Sequence, residues 1–140
     1  MMHKEIILHC AATPEGKIFD ISDIDRWHKA RGWKGCGYHF VITLDGCIQK
    51  GRAINAYGAH TKGRNSAIGI CYIGGLDSGG VPKDTRTPEQ RDALELLITG
   101  LNITLGALQL HGHNEYSNKA CPSFDVKEET HLHHLANYER

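Results

Sequence analysis

Three residues that are far apart in the sequence have side chains that could hold one metal ion. His9 and His113 each follow a short apolar segment, and Cys121 comes eight positions after His113. Imidazole and thiolate are preferred ligands of Zn²⁺, and a short loop can bring a His and a Cys to about 4 Å from each other around one ion. Three protein ligands leave the fourth position open for water, which is typical of catalytic zinc sites, whereas structural sites are closed by four.

Two further side chains could act on a substrate bound beside this ion. Lys119 lies two residues before Cys121, so it must lie near the metal if Cys121 binds it. Tyr38 begins a predicted strand, and it would lie at the same sheet edge as His9 if that strand ran antiparallel to the first one. A phenol and a cation there could stabilise the oxyanion of a tetrahedral intermediate.

The same residue types also have ordinary structural interpretations. A His at a strand end is more often a packed residue than a ligand, and a single Cys is more often a small buried hydrophobe. His111 lies two residues before His113 on a predicted strand and points the same way, so it is the main rival ligand. His60 lies in a Gly-punctuated loop of the kind that often lines sites. If His111 or His60 supplied a fourth ligand, the metal would be structural. His28, on a predicted helix, is a weaker candidate.

The elements that must position these residues alternate between strands and helices. Strands are predicted at residues 5–9, 38–44, 47–49, 68–73 and 107–110. Helices are predicted after the N-caps Ser22 and Thr87 and over residues 126–138. This order indicates an α/β fold, a single domain over residues 1–140 whose mixed central sheet of about five strands has helices on both faces. If the first and last strands are parallel neighbours, His9 and His113 meet at one sheet edge.

The composition excludes several classes of protein. Sixteen Lys and Arg balance sixteen Asp and Glu among 140 residues, so no basic surface for nucleic acid or anionic lipid is expected. The apolar run at residues 6–8 is too short for a secretory signal or a membrane span. We therefore expect synthesis in the cytoplasm. Five widely spread Cys favour free thiols or a metal ligand over a disulfide framework, and ten His favour a metal or acid–base site.

Four motifs together resemble one known family. They are HCAAT at residues 9–13, RWHKARGWKGCGYHF at 26–40, GAHTKG at 58–63 and NKACPSFDV at 118–126. The chain resembles the zinc-dependent N-acetylmuramoyl-L-alanine amidases, in particular the lysozymes of T-odd coliphages, and is related to the peptidoglycan recognition proteins. The resemblance extends from about residue 5 to residue 126.

The resemblance implies a role for each candidate residue. The Zn²⁺ ligands would be His9, His113 and Cys121. The catalytic residues would be Tyr38 and Lys119. His60 would face the cleft and bind substrate, and Glu115 would be the acidic residue that supports the second His ligand. The implied fold is that of the peptidoglycan recognition proteins.

The implied reaction is hydrolysis of the amide bond between N-acetylmuramic acid and L-alanine in peptidoglycan or muropeptides. The alternative is a module of the same fold that binds peptidoglycan without cleaving it. We expect a monomer with no nucleic-acid or membrane partner. The enzyme would reach the cell wall through a membrane pore or by another export route, or it would act on cytoplasmic muropeptides.

Overall fold

A five-stranded mixed sheet forms the centre of the molecule. The computed structural model describes residues 4–140, so the first three residues of the predicted domain lie outside the description. Along the chain the elements are β1 (Glu5–Cys10), β2 (Thr13–Pro14), α1 (Ile21–Ala30), β3 (Phe40–Ile42), β4 (Ile48–Lys50), β5 (Ile68–Tyr72), β6 (Gly75–Leu76), α2 (Pro88–Leu105), β7 (Gln109–Gly112) and α3 (Thr130–Asn137), with 3₁₀ turns at His113–Glu115 and Val126–Glu128.

The strand order places β1 beside β7. The sheet runs β4-β3-β5-β1-β7, while β2 and β6 form a separate pair. β1 is parallel to both β5 and β7, and β3 is parallel to β5 but antiparallel to β4. The predicted mixed sheet of about five strands is confirmed. Since parallel strands end at the same edge, the residues that follow β1 and β7 lie close together.

The two faces of the sheet carry separate hydrophobic cores. One face packs against α2 and α3, and its buried residues include Ile6, Leu8, Ile70, Ile98 and Leu132. The other face packs against α1, and its buried residues are Ile24, Cys36, Val41, Cys71 and Ile73. Alternation along each strand separates the two sets. Helices on both faces, as predicted, are confirmed. In residues 4–140 no helix combines the length and the hydropathy needed to cross a membrane.

The longest helix is held to the sheet through its N-terminus. The Thr87 hydroxyl accepts the Gln90 N–H at 3.0 Å, and the Gln90 side-chain oxygen accepts the Thr87 N–H at 3.0 Å, so the predicted N-cap Thr87 forms a capping box. Gln90 is fully buried, and its amide donates to the carbonyl oxygens of Ile73 at 2.9 Å and Ile42 at 3.3 Å. The cap therefore also ties α2 to the ends of β5 and β3.

Several predicted boundaries are wrong. The strand predicted at residues 38–44 is limited to Phe40–Ile42, so Tyr38 lies before it. α1 begins after Asp20 rather than Ser22, because the Asp20 carboxylate accepts the N–H groups of Ser22 and Asp23 and completes a capping box with Asp23. The last strand occupies Gln109–Gly112 instead of 107–110, since the Leu108 N–H bonds to α3 rather than to the sheet. The predicted terminal helix is divided into a 3₁₀ turn and α3.

We expect Gln90→Leu to lower the free energy of unfolding by about 1–3 kcal/mol, because it leaves buried carbonyl and N–H groups without partners. Urea denaturation checks this value. The matched control is Gln109→Leu at an exposed position, which should stay within about 0.5 kcal/mol of wild type. Equal stability of the two variants would contradict the anchoring role of Gln90.

Candidate metal centre and active-site cleft

The side chains of His9, His113 and Cys121 converge at the carboxyl ends of β1 and β7. Leu8 pairs with Gly112 in the register of the two strands, so His113 begins its 3₁₀ turn beside His9. Cys121 lies in the loop that follows. One ligand atom from each of the three residues lies within 4.8 Å of the other two. The parallel neighbours required by the sequence argument are present.

The three donors fit the ligand preference of Zn²⁺. Bond lengths of about 2.0–2.3 Å place the ligand atoms of a tetrahedral site about 3.3–3.8 Å apart. Nδ1 of His9 lies 3.7 Å from Sγ of Cys121, in agreement with that spacing. Across residues 4–140 this is the one cluster of three or more His, Cys, Asp or Glu side chains close enough to hold a metal ion. The cluster has three members, so a fourth position is left for a non-protein ligand.

Burial favours the neutral form of both histidines. Burial, followed by the proximity of His60 and His113, lowers the pKa of His9 well below its usual value. Burial, followed by the Lys119 ammonium group, lowers the pKa of His113. A neutral imidazole keeps the lone pair that a metal ion requires.

The thiol of Cys121 lies against the end of β1. Its Sγ accepts the backbone N–H of Cys10 at 3.2 Å, a contact that also suits a thiolate. In the metal-free chain, the hydrogen bond with the Cys10 side chain and burial raise the pKa of Cys121. Binding of a metal ion to Cys121 must therefore displace a proton.

A small open cavity of about 160 Å³ borders this cluster. It is lined by two metal-ligand candidates, both predicted catalytic residues, residues of α1 and the residue that follows α1, including His113, Cys121, Tyr38, Lys119, Trp27, His28 and Arg31. A larger cavity of about 750 Å³ lies between α1 and the β4 region, and none of the predicted site residues lines it. The small cavity is therefore the one that adjoins the chemistry.

Tyr38 approaches His9 along the α1 face of the sheet. The condition under which the sequence places Tyr38 beside His9, an antiparallel strand, is not met, because β3 and β1 are both parallel to β5. Tyr38 lies ahead of β3 and packs with the α1 core, and its ring centroid is 5.0 Å from that of His9. Burial, followed by the thiols of Cys71 and Cys121, raises the pKa of Tyr38 well above its usual value. The hydroxyl is therefore a hydrogen-bond donor at neutral pH.

His60 lies behind His9 rather than in the cleft. It is 9% exposed and is not among the cavity-lining residues. Its Nδ1 lies 3.0 Å from His9 Nε2, and its Nε2 lies 3.0 Å from the Ala67 carbonyl oxygen. Burial lowers the pKa of His60 to about 4. Substrate binding by His60 stays a prediction, and this placement does not favour it.

Glu115 supports the turn that carries His113 rather than the His113 ring. One carboxylate oxygen accepts the Gly112 N–H at 2.7 Å, and the other lies 2.9 Å from Nδ1 of His111. β7 ends at Gly112, so His111 lies within the strand, where it pairs with Ile7, and His113 lies in the 3₁₀ turn that follows. His111 lies beside Glu5 and Glu115, away from the metal cluster.

Sequence reasoning gave His28 too little weight and missed two further residues at this site, Thr61 and Cys10. His28 lines the cavity, its Nδ1 accepts the Gly37 N–H at 2.8 Å, and its ring lies 5.5 Å from Tyr38. Thr61 places its hydroxyl 3.2 Å from His9 Nε2, and Cys10 contacts Cys121. Each lies inside or next to a motif of the resemblance, but no spacing distinguishes it from its neighbours.

Comparison with known proteins gives matches over most of the chain. The family profile described as N-acetylmuramoyl-L-alanine amidase matches residues 2–124. The endolysin of Klebsiella phage KP32 is 41% identical over 124 residues, which cover 88% of this chain and 82% of the relative. The endolysin of Escherichia phage T7 is 41% identical over 123 residues, covering 87% of this chain and 82% of the relative.

Solved structures of similar fold include an amidase and a peptidoglycan recognition protein. The N-acetylmuramoyl-L-alanine amidase LysC from Clostridium intestinale has a TM-score of 0.77 at 32% identity, covering 90% of this chain and 81% of that one. The Drosophila peptidoglycan recognition protein PGRP-LB has a TM-score of 0.75 at 27% identity, covering 86% and 75%. The chain therefore belongs to the N-acetylmuramoyl-L-alanine amidase family.

Proposed function

We propose that this chain is a zinc-dependent hydrolase that cleaves the amide bond between N-acetylmuramic acid and L-alanine in peptidoglycan. The observation that carries the proposal is the cluster of His9, His113 and Cys121, which has three protein donors and adjoins a solvent cavity. Membership of the amidase family gives the reaction class, and the donor set supports the metal.

The cluster favours a catalytic over a structural metal. A structural site needs a fourth protein ligand, and His111 and His60 were the candidates for it. His111 lies beside Glu5 and Glu115, while the ring of His60 contacts the far side of His9. Neither belongs to the cluster found within residues 4–140. When bound, Zn²⁺ supplies Lewis-acid polarisation of a carbonyl group and of water.

Tyr38 and Lys119 supply the charge stabilisation that amide hydrolysis requires. Both line the cavity next to His113 and Cys121. The protonated phenol of Tyr38 donates a hydrogen bond to the substrate carbonyl oxygen as negative charge develops on it, and the Lys119 ammonium group adds a positive charge nearby. Each such donor is worth about 3–4 kcal/mol of transition-state stabilisation.

The substrate is peptidoglycan or a muropeptide derived from it. Solved neighbours include a complex of two peptidoglycan recognition protein ectodomains with tracheal cytotoxin bound, 25% identical with a TM-score of 0.73. The most similar relatives described above are phage endolysins. We propose that this chain is likewise made in the cytoplasm and acts on the cell wall after it crosses the inner membrane.

We expect purified, zinc-loaded protein to release stem peptides with a new free amino group on L-alanine and to leave intact glycan strands. Mass spectrometry of digested sacculi identifies the bond. Tyr38→Phe should lower the rate by about 10²–10³-fold, because the oxyanion loses one donor, while binding to sacculi is retained.

Tyr138→Phe is the matched control for this assay, because Tyr138 is an exposed tyrosine near the end of the chain, and it should cleave at the wild-type rate. Binding of sacculi by the wild type without any product would instead support the non-catalytic binding module. New reducing ends on the glycan would show that a different bond is cut.

We expect the wild type to bind one Zn²⁺ per chain and a chelator to abolish its activity. Cys121→Ser should weaken zinc binding by more than about 100-fold. Loss of a residue that only hydrogen-bonds to a metal ligand already lowers metal affinity by about 10–100-fold, and Cys121 is proposed as a ligand itself. Cys47→Ser, at an exposed free thiol in the β3–β4 hairpin, is the control and should bind zinc normally. Hydrolysis by metal-free protein, or full zinc occupancy in Cys121→Ser, would contradict the proposal.

A further inference from the structure

We propose that His60 is a positioning residue, which holds the proton of His9 on Nε2 so that Nδ1 presents its lone pair to the metal. The inference rests on the proposed zinc site, and it gives a role to a residue that is not itself a metal ligand. It follows from the hydrogen bonds of four groups: His9, His60, Thr61 and the carbonyl of Ala67.

The proton on His60 is set by Ala67. His60 Nε2 lies 3.0 Å from the Ala67 carbonyl oxygen, and a carbonyl oxygen only accepts hydrogen bonds. Nε2 of His60 must therefore carry a hydrogen. The ring is buried, and its hydrogen-bond partners are a carbonyl oxygen, a hydroxyl and an imidazole rather than a carboxylate. A neutral ring with a lone pair on Nδ1 is the form that suits these partners.

The lone pair of His60 then sets the proton on His9. Nδ1 of His60 lies 3.0 Å from Nε2 of His9 and 2.9 Å from the Thr61 hydroxyl oxygen, which itself lies 3.2 Å from His9 Nε2. His9 Nε2–H can donate to His60 directly, or to Thr61 while the hydroxyl donates to His60. If His9 Nε2 carried no hydrogen, two lone pairs would face each other at 3.0 Å. Both satisfied arrangements place the hydrogen of His9 on Nε2.

The remaining nitrogen of His9 faces the metal cluster. Nδ1 lies 3.7 Å from Sγ of Cys121, and it is the atom left without a hydrogen. The chain of hydrogen bonds therefore runs from a backbone carbonyl through His60 to His9 and ends at the metal position. Supports of this kind orient a ligand ring and raise its affinity for the metal.

The surrounding backbone leaves His60 little freedom to move. The Asn65 side-chain oxygen accepts the N–H groups of both His60 and Thr61, at 2.8 and 2.9 Å. A Cβ atom at Gly58 would lie 2.4 Å from His60 Cδ2, and one at Gly69 would lie 2.5 Å from it. Both glycines thus allow their backbones to pack directly against the ring, which fixes its position next to His9.

The first test is the tautomer of His9 in the wild type. Long-range ¹⁵N–¹H correlation spectra of zinc-free protein at pH 8 distinguish Nε2–H from Nδ1–H imidazoles. We expect His9 and His60 both to be in the Nε2–H form, and His9 to remain so in Thr61→Val. A His9 that carries its hydrogen on Nδ1 in the wild type would overturn the inference. This spectrum is independent of whether the protein binds zinc, so its outcome is separate from that of the proposed function.

The second test is zinc affinity, measured by competition with a chromogenic chelator. His60→Leu should weaken binding by about 10–100-fold. His60→Gln should recover most of the loss, because its amide oxygen can accept from His9 and its NH₂ group can donate to Ala67. Gln90→Leu is the control: Gln90 is also fully buried, but its amide bonds to the carbonyl oxygens of Ile73 and Ile42 instead of His9.

We expect the affinity of Gln90→Leu to stay within about twofold of wild type, since the Gln90 side chain bonds to the ends of β3 and β5 and not to His9 or His60. Wild-type affinity in His60→Leu would refute a positioning role. An equal loss in Gln90→Leu would refute it as well, because it would show a general effect of core substitution. If His60→Leu does not fold, the wild-type and Thr61→Val spectra still decide the question.

Discussion

The parallel pairing of β1 with its neighbours is the constraint on which the site depends. β1 lies between β5 and β7 and runs in the same direction as both, so His9 and His113 leave the sheet at the same edge. Side chains alternate along a strand, and a shift of one residue in the register of β1 would turn His9 toward the α2 face and Leu8 toward α1. The hydrophobic contacts that fix this register, with Ile6 and Leu8 buried under α2, therefore also fix the position of a metal ligand.

Burial around His9 creates a second requirement, which the loop at residues 58–67 meets. His9 is 1% exposed, and a buried imidazole without a partner would be costly. His60, Thr61 and Cys121 surround its two nitrogens. Among residues 4–140 no buried side-chain nitrogen or oxygen lacks a hydrogen-bond partner. The polar atoms of His9, His60 and Thr61 therefore have hydrogen-bond partners within the fold. Because His9 also belongs to the metal cluster, the same hydrogen bonds orient a candidate metal ligand.

Much of this architecture was predictable from local patterns. The N-cap at Thr87 and the alternation of strands with helices are short-range signals, and the structure contains both. The direction of β3 was not predictable, because it depends on how the chain connects the strands. The residues of a single strand do not indicate that connection. The sequence predicted Ser22 as the N-cap of α1, whereas the structure has Asp20. Both are good capping residues and lie close together, so the sequence alone does not distinguish them. The roles of Glu115 and His60 depend on contacts across the chain, which spacing does not encode.

The central claim is that two imidazoles and one thiolate hold a single zinc ion with one position left for solvent. Anomalous diffraction at the zinc absorption edge, from crystals of the zinc-loaded protein, tests it most directly. The account predicts one strong peak bonded to Nδ1 of His9, to His113 and to Sγ of Cys121, with a non-protein fourth ligand. A peak elsewhere, a fourth protein ligand, or bonding through Nε2 of His9 would contradict it.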